Sequence, residues 1–574
     1  MVRNAEIAAV FEEIADLLEL QDENPFKVRA YRQAARLLRG LGAEAAELLA
    51  AGEDLRRLPG IGKELAAKIA DVVQTGTTPA LERLRQSVPA ALRELLRLPG
   101  LGPKRVRALH RELGLTTREG LRQAALQGRI RELAGFGETR ERQILEALAR
   151  AAAEGRRTAI GEAQPQVEAL LSFLRAQPGV KRAEAAGSFR RRRETVGDID
   201  LVVAAAAQSP VIERFAAWGE VREVLSRGAT RAGVVLRSGL QVDLRRVDPA
   251  AYGAALQYFT GSQAHNIALR RDARRQGLKV NEYGVFRGQR RIAGRTEESV
   301  YRALGLSWIP PELREDRGEI EAAREGRLPA LVTAADLRGD LHAHTAASDG
   351  TAGLEEMAEA ARRRGFEYLA ITDHSRSLRV AHGLDERRLL EQLEAIERLN
   401  ERWRDFALLK GVEVEILEDG RLDLPDEVLG RLDLVVGAVH SGFRLSRERQ
   451  TERILRAMDR PHFTILAHPS GRLLPDREPV ALDLAAVIAK AAERGCFLEL
   501  NAHPRRLDLG DAACREARAA GVRIAVNSDA HGPADFAHLE SGIDQARRGW
   551  LEPRDVLNTL PLGELLPLLR RARG

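Results

Sequence analysis

Short apolar runs that end in a metal-binding side chain recur through the C-terminal part of the chain, from Leu337 onward. Helical stretches separate these runs, an alternation that is typical of a (β/α) barrel. Because active sites of such barrels assemble at the carboxyl ends of the strands, we expect these side chains to meet. They are His342, His344, Asp349, His374, Glu413, His440, His468, Asp529 and His531.

Histidine is unevenly distributed along the chain. Ten of the twelve histidines follow residue 340. Any one of them could be an ordinary core histidine, but six histidines and three carboxylates after successive apolar runs predict a metal site. Mixed imidazole and carboxylate ligands suit Zn²⁺, Mn²⁺ or Fe²⁺, and the ligand types do not choose among these ions.

A second carboxylate-rich site is predicted in the stretch GSFRRRRETVGDID (Gly187–Asp200). Residues two apart in a strand point to the same side, so Asp198 and Asp200 would present two carboxylates on one face. Two hard oxygen ligands beside four consecutive arginines suit Mg²⁺ that carries a polyphosphate. The alternative is a strand entry in which both aspartates are turn residues.

Two further segments extend this second site. The apolar strand LQVDLRRV (Leu240–Val247) carries Asp243, a third carboxylate that would complete a two-metal cluster. The later segment Tyr258–Phe286 predicts a tight turn, a basic helix and a short strand pair.

Three copies of one phrase occur in the helical N-terminal part: LPGIGKELA (Leu58–Ala66), LPGLGPKRV (Leu98–Val106) and LAGFGETRE (Leu133–Glu141). Each copy has an apolar residue, a Gly-x-Gly turn and a helix start, which is the helix-hairpin-helix pattern. The glycines permit close backbone approach, and the amides of the following helix can bind a DNA phosphate without reading bases. The third copy, in which Glu138 follows the second glycine, is the weakest. The predicted DNA-binding positions are Gly60, Gly62, Lys63, Gly100, Gly102 and Lys104.

Length and composition limit the possible classes of protein. A chain of 574 residues exceeds a single core, so we expect several domains. The sequence has no run of about 18 apolar residues and begins with a charged amphipathic segment, so we expect neither a membrane span nor a signal peptide. Two cysteines give no disulfide framework and favour the cytoplasm. The net charge of +6 permits a polyanionic partner.

The motifs GSF-R-R…GDID, VDLR and YFTGS…N…R…NEY resemble the family X DNA polymerases, the group that contains DNA polymerase beta, over about residues 5–315. The resemblance implies that Asp198, Asp200 and Asp243 hold two Mg²⁺ ions for nucleotidyl transfer to a DNA primer. Of the four arginines, Arg191 would bind the triphosphate, and the others would face phosphate or solvent. The implied nucleotide-binding positions are Gly187, Ser188, Arg191, Gly197, Tyr258, Phe259, Gly261, Asn266 and Arg270.

The same resemblance extends to NPFKVRAYRQAARLL (Asn24–Leu38) and the first hairpin. Lys27 and Tyr31 match positions that bind a 5′-phosphate, and Lys68 matches the nucleophile of deoxyribose-phosphate lyase chemistry. Lysine can form a Schiff base with an abasic sugar, whereas arginine cannot. The chain departs from the family at Glu64, where a second phosphate-binding lysine is expected. The alternative for Lys68 is an exposed helix lysine.

The C-terminal ligand series resembles the PHP (polymerase and histidinol phosphatase) domain over about residues 337–574, and it fills all nine positions of that domain's trinuclear metal site. Clustered metals lower the pKa of a bridging water and neutralise a phosphate, as phosphoester hydrolysis requires. Members fused to polymerases act as Mn²⁺-dependent 3′–5′ exonucleases, and some act as abasic-site endonucleases or 3′-phosphatases. His382, Asn501 and His503 are further candidates for supporting or substrate contacts, or else ordinary loop residues.

The chain is therefore predicted to be a monomeric bacterial repair polymerase, nucleoid-associated in the cytoplasm, that acts on gapped or primer–template DNA with deoxynucleoside triphosphates (dNTPs). Its predicted fold combines all-α helix-hairpin-helix domains, an α/β nucleotidyltransferase palm with a thumb, and a distorted (β/α)7 barrel. The predicted domains are a lyase-type helical domain (1–82), fingers (83–152), palm (153–251), thumb (252–316), linker (317–336) and PHP domain (337–574).

Two alternatives differ in class from this prediction. A small-molecule phosphatase of the histidinol phosphate type with an attached nucleotidyltransferase would have no use for repeated DNA-phosphate hairpins. A DNA-binding scaffold with decayed sites would not be expected to retain three aspartates and nine metal ligands.

Overall fold

The computed structural model describes residues 4–41, 44–50, 53–96, 98, 101–154 and 157–572. It divides into two compact units, Met1–Arg156 and Arg157–Gly574. No helix among the described residues is both long enough and apolar enough to cross a membrane.

The first unit is helical, as its amphipathic segments predict. The helices bury one shared apolar core, in which Phe11, Ile69 and Leu109 are fully buried. A short 3-10 helix spans Leu55–Arg57. The α-helices are α1 (Asn4–Leu20), α2 (Pro25–Gly40), α3 (Ala45–Ala50), α4 (Lys63–Thr75), α5 (Pro79–Ser87), α6 (Ala90–Leu96), α7 (Pro103–Leu113), α8 (Arg118–Leu126) and α9 (Gly137–Glu154).

The second unit begins with a five-stranded sheet, which we name the carboxylate sheet, in the order β2-β4-β7-β6-β5. Its strands β4 and β7 are parallel, and the other neighbours are antiparallel. The apolar side of the sheet packs on α10 and α12. The elements are β1 (Thr158–Ala159), α10 (Ile160–Arg175), β2 (Val180–Ala185), α11 (Gly187–Arg190), β3 (Thr195–Val196), β4 (Asp198–Ala205), α12 (Val211–Ala216), β5 (Val221–Arg227), β6 (Arg231–Leu236) and β7 (Gln241–Val247).

A small α/β subdomain follows, with a three-stranded antiparallel sheet. It contains the turn, basic helix and strand pair predicted for Tyr258–Phe286. A 3-10 helix spans Pro311–Leu313. The other elements are α13 (Tyr252–Thr260), α14 (Gln263–Arg275), β8 (Lys279–Asn281), β9 (Gly284–Arg287), β10 (Arg290–Ala293), α15 (Glu297–Ala303) and α16 (Glu319–Arg324).

Residues 317–336, predicted to be a linker, are packed against the rest of the second unit. Their composition is charged, yet Glu319 is fully buried. Its Oε1 lies 2.6 Å from His265 Nδ1, and its carboxylate also accepts hydrogen bonds from the backbone amides of Asp316 and Arg317. Because every oxygen of Glu319 has a partner, burial of this charge is tolerated. The segment is therefore packed against the rest of the second unit and is not an exposed linker.

Parallel strands alternate with helices through the C-terminal part, as the apolar runs predicted. The elements are β11 (Gly339–Ala343), α17 (Leu354–Arg363), β12 (Tyr368–Ile371), α18 (Glu386–Asn400), β13 (Ala407–Lys410), β14 (Glu413–Glu415), α19 (Asp426–Leu429), β15 (Val436–Ala438), α20 (Arg447–Met458), β16 (Ile465–Leu466), α21 (Leu484–Arg494), β17 (Phe497–Asn501), α22 (Asp511–Ala519), β18 (Ile524–Asn527), α23 (Leu539–Arg548) and α24 (Leu562–Ala572). Short 3-10 helices span Ala334–Asp336, Arg379–Ala381, Pro533–His538, Pro553–Asp555 and Leu557–Thr559.

The parallel strands form two runs, β11-β12-β13 and β14-β15-β16-β17-β18. A parallel bridge between Ala343 and Ala530 connects the first strand to the segment after the last one. Another between His374 and Glu413 connects the two runs. The bridged residues are the last residue of β11 (Ala343) and residues that follow β18 (Ala530), β12 (His374) and β13 (Glu413), so the side chains that follow these strands converge. The closed seven-stranded barrel stays a prediction.

Candidate active sites

The first candidate site lies on strands β4 and β7 of the carboxylate sheet. Asp200 and Asp243 are direct neighbours in the parallel register, and Asp198 is paired with Gln241. Because β4 alternates its side chains, Asp198 and Asp200 share a face, and Asp243 joins them from the adjacent strand. The structure thus brings together the three predicted carboxylates.

The three carboxylates lie in a setting that suits a cation. Burial and the negative charges of Asp198 and Asp243 raise the pKa of Asp200 to about 7. This shift reflects negative charge that surrounding groups leave uncompensated, and a divalent cation would compensate it. Gln241 Nε2 donates to Asp243 Oδ2 at 3.0 Å and orients that carboxylate.

Two glycines leave space for these carboxylates. A Cβ on Gly187 would lie 2.5 Å from Asp200 Oδ2, and Gly187 has a φ of +57°. A Cβ on Gly233, which faces Asp243 from strand β6, would lie 2.8 Å from Asp243 Oδ1. Gly187 was predicted from the sequence, whereas Gly233 was missed because only the strand pairing places it there.

The four consecutive arginines occupy four different environments. Arg190 was expected to face phosphate or solvent. Instead it binds Glu297 with two hydrogen bonds of 2.7 and 2.8 Å. Arg191 donates to Glu315 Oε1 at 3.0 Å and to the backbone oxygen of Thr260 at 2.8 Å. Arg192 and Arg193 make looser ion pairs, with Asp544 at 3.5 Å and with Glu315 at 3.7 Å.

The predicted sugar-facing turn is held by Asn266. Its Nδ2 donates to the backbone oxygens of Tyr258 at 2.7 Å and Gly261 at 3.0 Å. A Cβ at Gly261 would lie 2.9 Å from Asn266 Oδ1, so the turn requires glycine there. The rings of Tyr258 and Phe259 meet edge to face at 5.2 Å. Arg270 Nε donates to the Asn266 backbone oxygen at 3.1 Å.

Ser188 and Gly197, the remaining nucleotide-binding predictions, flank the arginines. Ser188 is half-buried in the short helix α11, and its backbone oxygen accepts from the Arg193 amide at 3.1 Å. Gly197 lies between β3 and β4, immediately before Asp198. Both positions adjoin the carboxylates, and their roles remain predictions.

In the first unit, Lys68 lies beside Tyr31. Its Nζ is 5.6 Å from the centroid of the Tyr31 ring and pairs with Glu64. Burial acts to lower the pKa of Lys68, but Glu64 and Tyr31 outweigh burial and raise that pKa. Lys27 is exposed, whereas Tyr31 is buried against Phe11. The paired ammonium disfavours the neutral amine that a Schiff base requires.

The hairpin glycines adopt the expected positions where they are described. Gly62 and Gly102 are the N-cap residues of α4 and α7, and Gly60 has a φ of +80°, which favours glycine. Lys63 and Lys104 are exposed in the first turns of these helices. Gly100 lies outside the described residues.

The third hairpin differs from the other two in its acidic residues. Glu141 is buried, and its Oε2 accepts the backbone amides of Ile130 at 3.1 Å and Arg131 at 2.9 Å. A carboxylate therefore binds these two amides, and exposed Glu138 adds further negative charge. These features agree with the weaker DNA-binding prediction for this copy.

The second candidate site is formed by the nine predicted ligands of the C-terminal part. Eight of them fall into three groups whose ligand atoms lie within 4.8 Å of one another. The ninth, His468, has its Nε2 2.9 Å from Glu413 Oε1. The groups are His344, Asp349, His374 and His531; His342, His344 and Asp529; and His374, Glu413 and His440.

Buried atoms at this site fit metal ions. His342 Nε2, both ring nitrogens of His344 and His468 Nδ1 are buried and make no hydrogen bond. Buried polar atoms are normally paired, and ligation would account for these. Burial opposes ionisation of Glu413, but the surrounding imidazoles, His374 first, hold its pKa well below the usual range. The donor set suits a transition-metal ion and does not choose among Zn²⁺, Mn²⁺ and Fe²⁺.

Three residues that sequence reasoning missed support these ligands. Glu499 Oε1 lies 2.7 Å from His342 Nδ1, and Glu415 Oε2 lies 2.9 Å from His440 Nδ1. Carboxylates in such positions fix the orientation and tautomer of a ligating imidazole. The acidic residues inside the apolar runs FLEL and VEVE were an available signal. Arg506, whose Nε lies 3.4 Å from Asp529 Oδ2, had no such signal.

Seven of the nine ligands, all except His342 and His344, line a cavity of about 230 Å³. Arg506 lines it on one side, and the apolar Leu378, Val380 and Ala381 line another. The cavity therefore offers a cationic side chain for a phosphate next to the predicted metals.

The additional candidates of this region differ in their contacts. Asn501 Nδ2 donates to Asp529 Oδ2 at 3.0 Å, which places it directly behind a predicted ligand. His503 packs edge to face on His538 at 5.0 Å. His382 is exposed, with its backbone oxygen accepting from Arg388. Substrate contacts of His382 and His503 stay predictions.

Four family models match parts of the chain. A helix-hairpin-helix domain matches residues 2–78, and a SAM-like helix-hairpin-helix tandem matches residues 92–150. A DNA polymerase beta thumb matches residues 255–315, and a PHP domain matches residues 340–503.

Curated relatives cover the whole chain or its C-terminal part. The chain is 37% identical over 571 residues to the "DNA polymerase/3′-5′ exonuclease PolX" of Bacillus subtilis (strain 168), with 99% of each chain covered. It is 31% identical to a probable phosphatase of Thermoanaerobacter sp. (strain X514), over 38% of this chain and 89% of that protein. A probable phosphatase of Acetivibrio thermocellus is 33% identical over 33% of this chain and 78% of its own length.

Proposed function

The chain belongs to the family X DNA polymerases that carry a C-terminal PHP domain, and we therefore propose that it is a DNA-directed DNA polymerase with a 3′–5′ exonuclease. It would fill short gaps during DNA repair and process 3′ ends before extension. The observation that carries this proposal is the presence of two separate ligand groups in one chain: three carboxylates on adjacent strands and nine clustered metal-binding side chains.

For the polymerase site, we propose that Asp198, Asp200 and Asp243 hold two Mg²⁺ ions. When bound, such ions supply charge neutralisation at the triphosphate and activation of the primer 3′-hydroxyl. The sheet register fixes the three carboxylates relative to one another. Gly187 and Gly233 keep the space around them free, and Gln241 orients Asp243.

For the incoming dNTP, we propose that Arg191 exchanges Glu315 for the triphosphate. Ser188 and Gly197 lie on either side of the arginines and would contact the same group. Asn266 keeps the Tyr258–Gly261 turn rigid through its backbone hydrogen bonds. A rigid turn without space for an added substituent would exclude a ribose 2′-hydroxyl.

For the PHP site, we propose hydrolysis of a phosphodiester at the DNA 3′ end, with up to three Mn²⁺, Zn²⁺ or Fe²⁺ ions. When bound, these ions would supply a low-pKa water and phosphate neutralisation. Glu499 and Glu415 orient the ligating histidines. Arg506 would bind the non-bridging oxygens of the phosphate as a bidentate cation.

An alternative substrate class is open to the PHP site, since the matching probable phosphatases cover only this part. One assay separates the possibilities: the protein with 5′-labelled gapped, abasic and 3′-phosphate DNA, and separately with a small phosphomonoester, each with Mg²⁺ or Mn²⁺. We expect stepwise shortening of the DNA 3′ end. Hydrolysis of the small ester without any DNA product would contradict the exonuclease proposal.

In the first unit, we propose that Lys68 is a weak lyase nucleophile that Glu64 restrains. Borohydride trapping on 5′-deoxyribose-phosphate DNA should disappear in Lys68→Ala. It should increase in Glu64→Gln, because removal of the paired carboxylate lowers the pKa of Lys68 and raises its neutral fraction. Glu64→Asp is the matched control. Equal trapping by Lys68→Ala and the unaltered protein would exclude Lys68.

We propose that the first two hairpins bind DNA phosphates, with Lys63 and Lys104 at their helix starts. Affinity for gapped DNA, measured by anisotropy between 50 and 200 mM salt, should then fall by about a hundred-fold or more. Lys104→Gln should weaken binding and reduce the slope of log affinity against log salt by about 1. Lys104→Arg, which keeps the charge, should retain the slope. An unchanged slope in Lys104→Gln would remove this residue from the interface.

We retain the predicted domain boundaries as proposals; the thumb limits and the start of the PHP domain lie close to those of the matching family models, whereas the PHP model ends at residue 503. A DNA substrate places the enzyme in the bacterial cytoplasm with the nucleoid. We propose that a monomer is sufficient, because all predicted ligands of each site come from one chain.

A further inference from the structure

Side chains of the PHP domain contact the backbone of the predicted triphosphate-binding residues. We name Arg190–Glu194 the arginine segment. Arg548 Nη1 donates to the backbone oxygen of Arg191 at 2.6 Å, and Gln545 Nε2 donates to that of Arg192 at 2.8 Å. Both donors lie on helix α23. One PHP helix thus fixes two consecutive peptide groups of the arginine segment.

A third PHP side chain fixes the end of the arginine segment. Arg472 forms a bidentate pair with Glu194, with distances of 3.0 and 3.2 Å. Its Nε also donates to the Arg506 backbone oxygen at 2.9 Å. Bidentate pairs of this kind set both distance and orientation. Arg472 follows the predicted metal ligand His468, so the contact originates from the loop that carries that ligand.

Arg548 is buried, and its other contacts explain why it remains in place. Only 2% of its side chain is exposed. Nη2 donates to Asp511 Oδ2 at 2.6 Å, and Nη1 lies 3.2 Å from Glu315 Oε1. The same Glu315 oxygen accepts from Arg191 Nε at 3.0 Å. Glu315 is therefore shared between the residue proposed for the triphosphate and a PHP arginine.

The pairing of Glu315 with two arginines lowers the free energy needed to release Arg191 for nucleotide binding. Glu315 is only 9% exposed, and a buried carboxylate that loses its cation is strongly destabilised. When Arg191 turns to the triphosphate, Arg548 at 3.2 Å remains the nearer of two cations beside Glu315, with Arg193 at 3.7 Å, and keeps its charge compensated. The hydrogen bond to the Arg191 backbone oxygen holds the main chain, so only the Arg191 side chain has to move.

We propose that the PHP domain positions the triphosphate-binding loop of the polymerase. Arg548, Gln545 and Arg472 hold the arginine segment, and Arg548 compensates Glu315 when Arg191 binds the nucleotide. This inference rests on the proposed polymerase function and deepens it. It assigns Arg548 as a positioning residue for nucleotide binding that is located outside the polymerase domains.

The test compares Arg548→Met with Arg547→Met in the full chain. Arg547 is the neighbouring residue of α23 and makes contacts of the same kind, with Glu312 at 2.8 Å and the Val332 backbone oxygen at 3.1 Å, away from the arginine segment. In single-nucleotide gap filling, the KM for dNTP should be about ten-fold higher in Arg548→Met than in Arg547→Met. The kcat should change less than two-fold, since chemistry occurs at the carboxylates.

Further measurements separate positioning from folding. Arg548→Lys, which keeps a donor and a charge, should have an intermediate KM. The affinity for dNTP on dideoxy-terminated gapped DNA should weaken in Arg548→Met by the same factor as the KM rises. The Tm of Arg548→Met should be lower than that of Arg547→Met, because Glu315 and Asp511 each lose a cation. The Mn²⁺-dependent exonuclease rates of the two variants, measured well below both Tm values, should be equal.

Three outcomes would overturn the inference. The first is an equal KM in Arg548→Met and Arg547→Met while the unaltered protein inserts nucleotides normally; the proposed function would then stand. The second is a fall in the exonuclease rate of Arg548→Met by the same factor as its KM for dNTP rises, because the contact would then serve folding alone. The third is absence of nucleotide insertion by the unaltered protein, which overturns the proposed function together with the inference.

Discussion

Asp198→Ala is expected to reduce nucleotide insertion into gapped DNA by about three orders of magnitude, because loss of a metal ligand removes several kcal/mol of transition-state stabilisation. Asp198 is exposed at the start of β4, so its replacement removes no core contact. The Mn²⁺-dependent 3′–5′ degradation of the same DNA should continue at the rate of the unaltered protein. The predicted metal ligands of the PHP site lie on other strands than Asp198. Insertion is measured as single-nucleotide extension of a 5′-labelled primer.

The matched control for this variant is Asp248→Ala. Asp248 is another exposed aspartate, just beyond β7, and its Oδ1 accepts from the Ala250 amide at 2.7 Å. Insertion by this control should stay within about two-fold of the unaltered protein. Loss of both insertion and degradation in Asp198→Ala, with an unchanged Tm, would show that the two sites are not separate.

His344→Ala is expected to have the opposite effect, with 3′–5′ degradation falling by about a thousand-fold and nucleotide insertion retained. His344 belongs to two of the three ligand groups, so its removal affects both. Its ring nitrogens are buried and make no hydrogen bond, so the variant loses no such bond there. The number of tightly bound metal ions per chain should also fall. Elemental analysis measures this number independently of activity.

Glu413→Gln tests the same prediction with less change in volume. Glu413 Oε2 lies 2.7 Å from His374 Nδ1, and its Oε1 lies 2.9 Å from His468 Nε2, so this carboxylate is central to the ligand set. A neutral amide should weaken metal binding and degradation while the fold is retained. His462→Ala, at a histidine outside the three groups, is the control. Full degradation by both Glu413→Gln and His344→Ala would exclude this site as the exonuclease.

Local patterns were sufficient to predict which side chains the structure brings together at the two candidate sites. The i, i+2 spacing of Asp198 and Asp200 places two carboxylates on one face of any strand. A series of apolar runs ending in His, Asp or Glu predicts convergence wherever parallel strands alternate with helices. Both rules depend only on backbone geometry, and the structure brings together the residues that they selected.

Partners of charged residues were much harder to predict. Arg190 was expected to face phosphate or solvent, yet it binds Glu297, which is distant in sequence. Residues 317–336 were predicted to be a linker, and the structure buries Glu319 of this segment against His265. A charge run has the same composition whether it is exposed or paired, so only the tertiary neighbours decide between these states.

The sequence by itself determined which side chains form each site, because strand alternation and strand ends are local properties of the chain. Only the tertiary structure decided what surrounds those side chains. The contacts it supplies are Gly233 with Asp243, Glu499 with His342, Glu64 with Lys68 and Arg548 with the Arg191 backbone. These contacts join elements through sheet register and domain packing, and neither is encoded in the spacing of a single segment. Chemistry at each site depends on the local pattern, whereas its positioning and pKa values depend on long-range contacts.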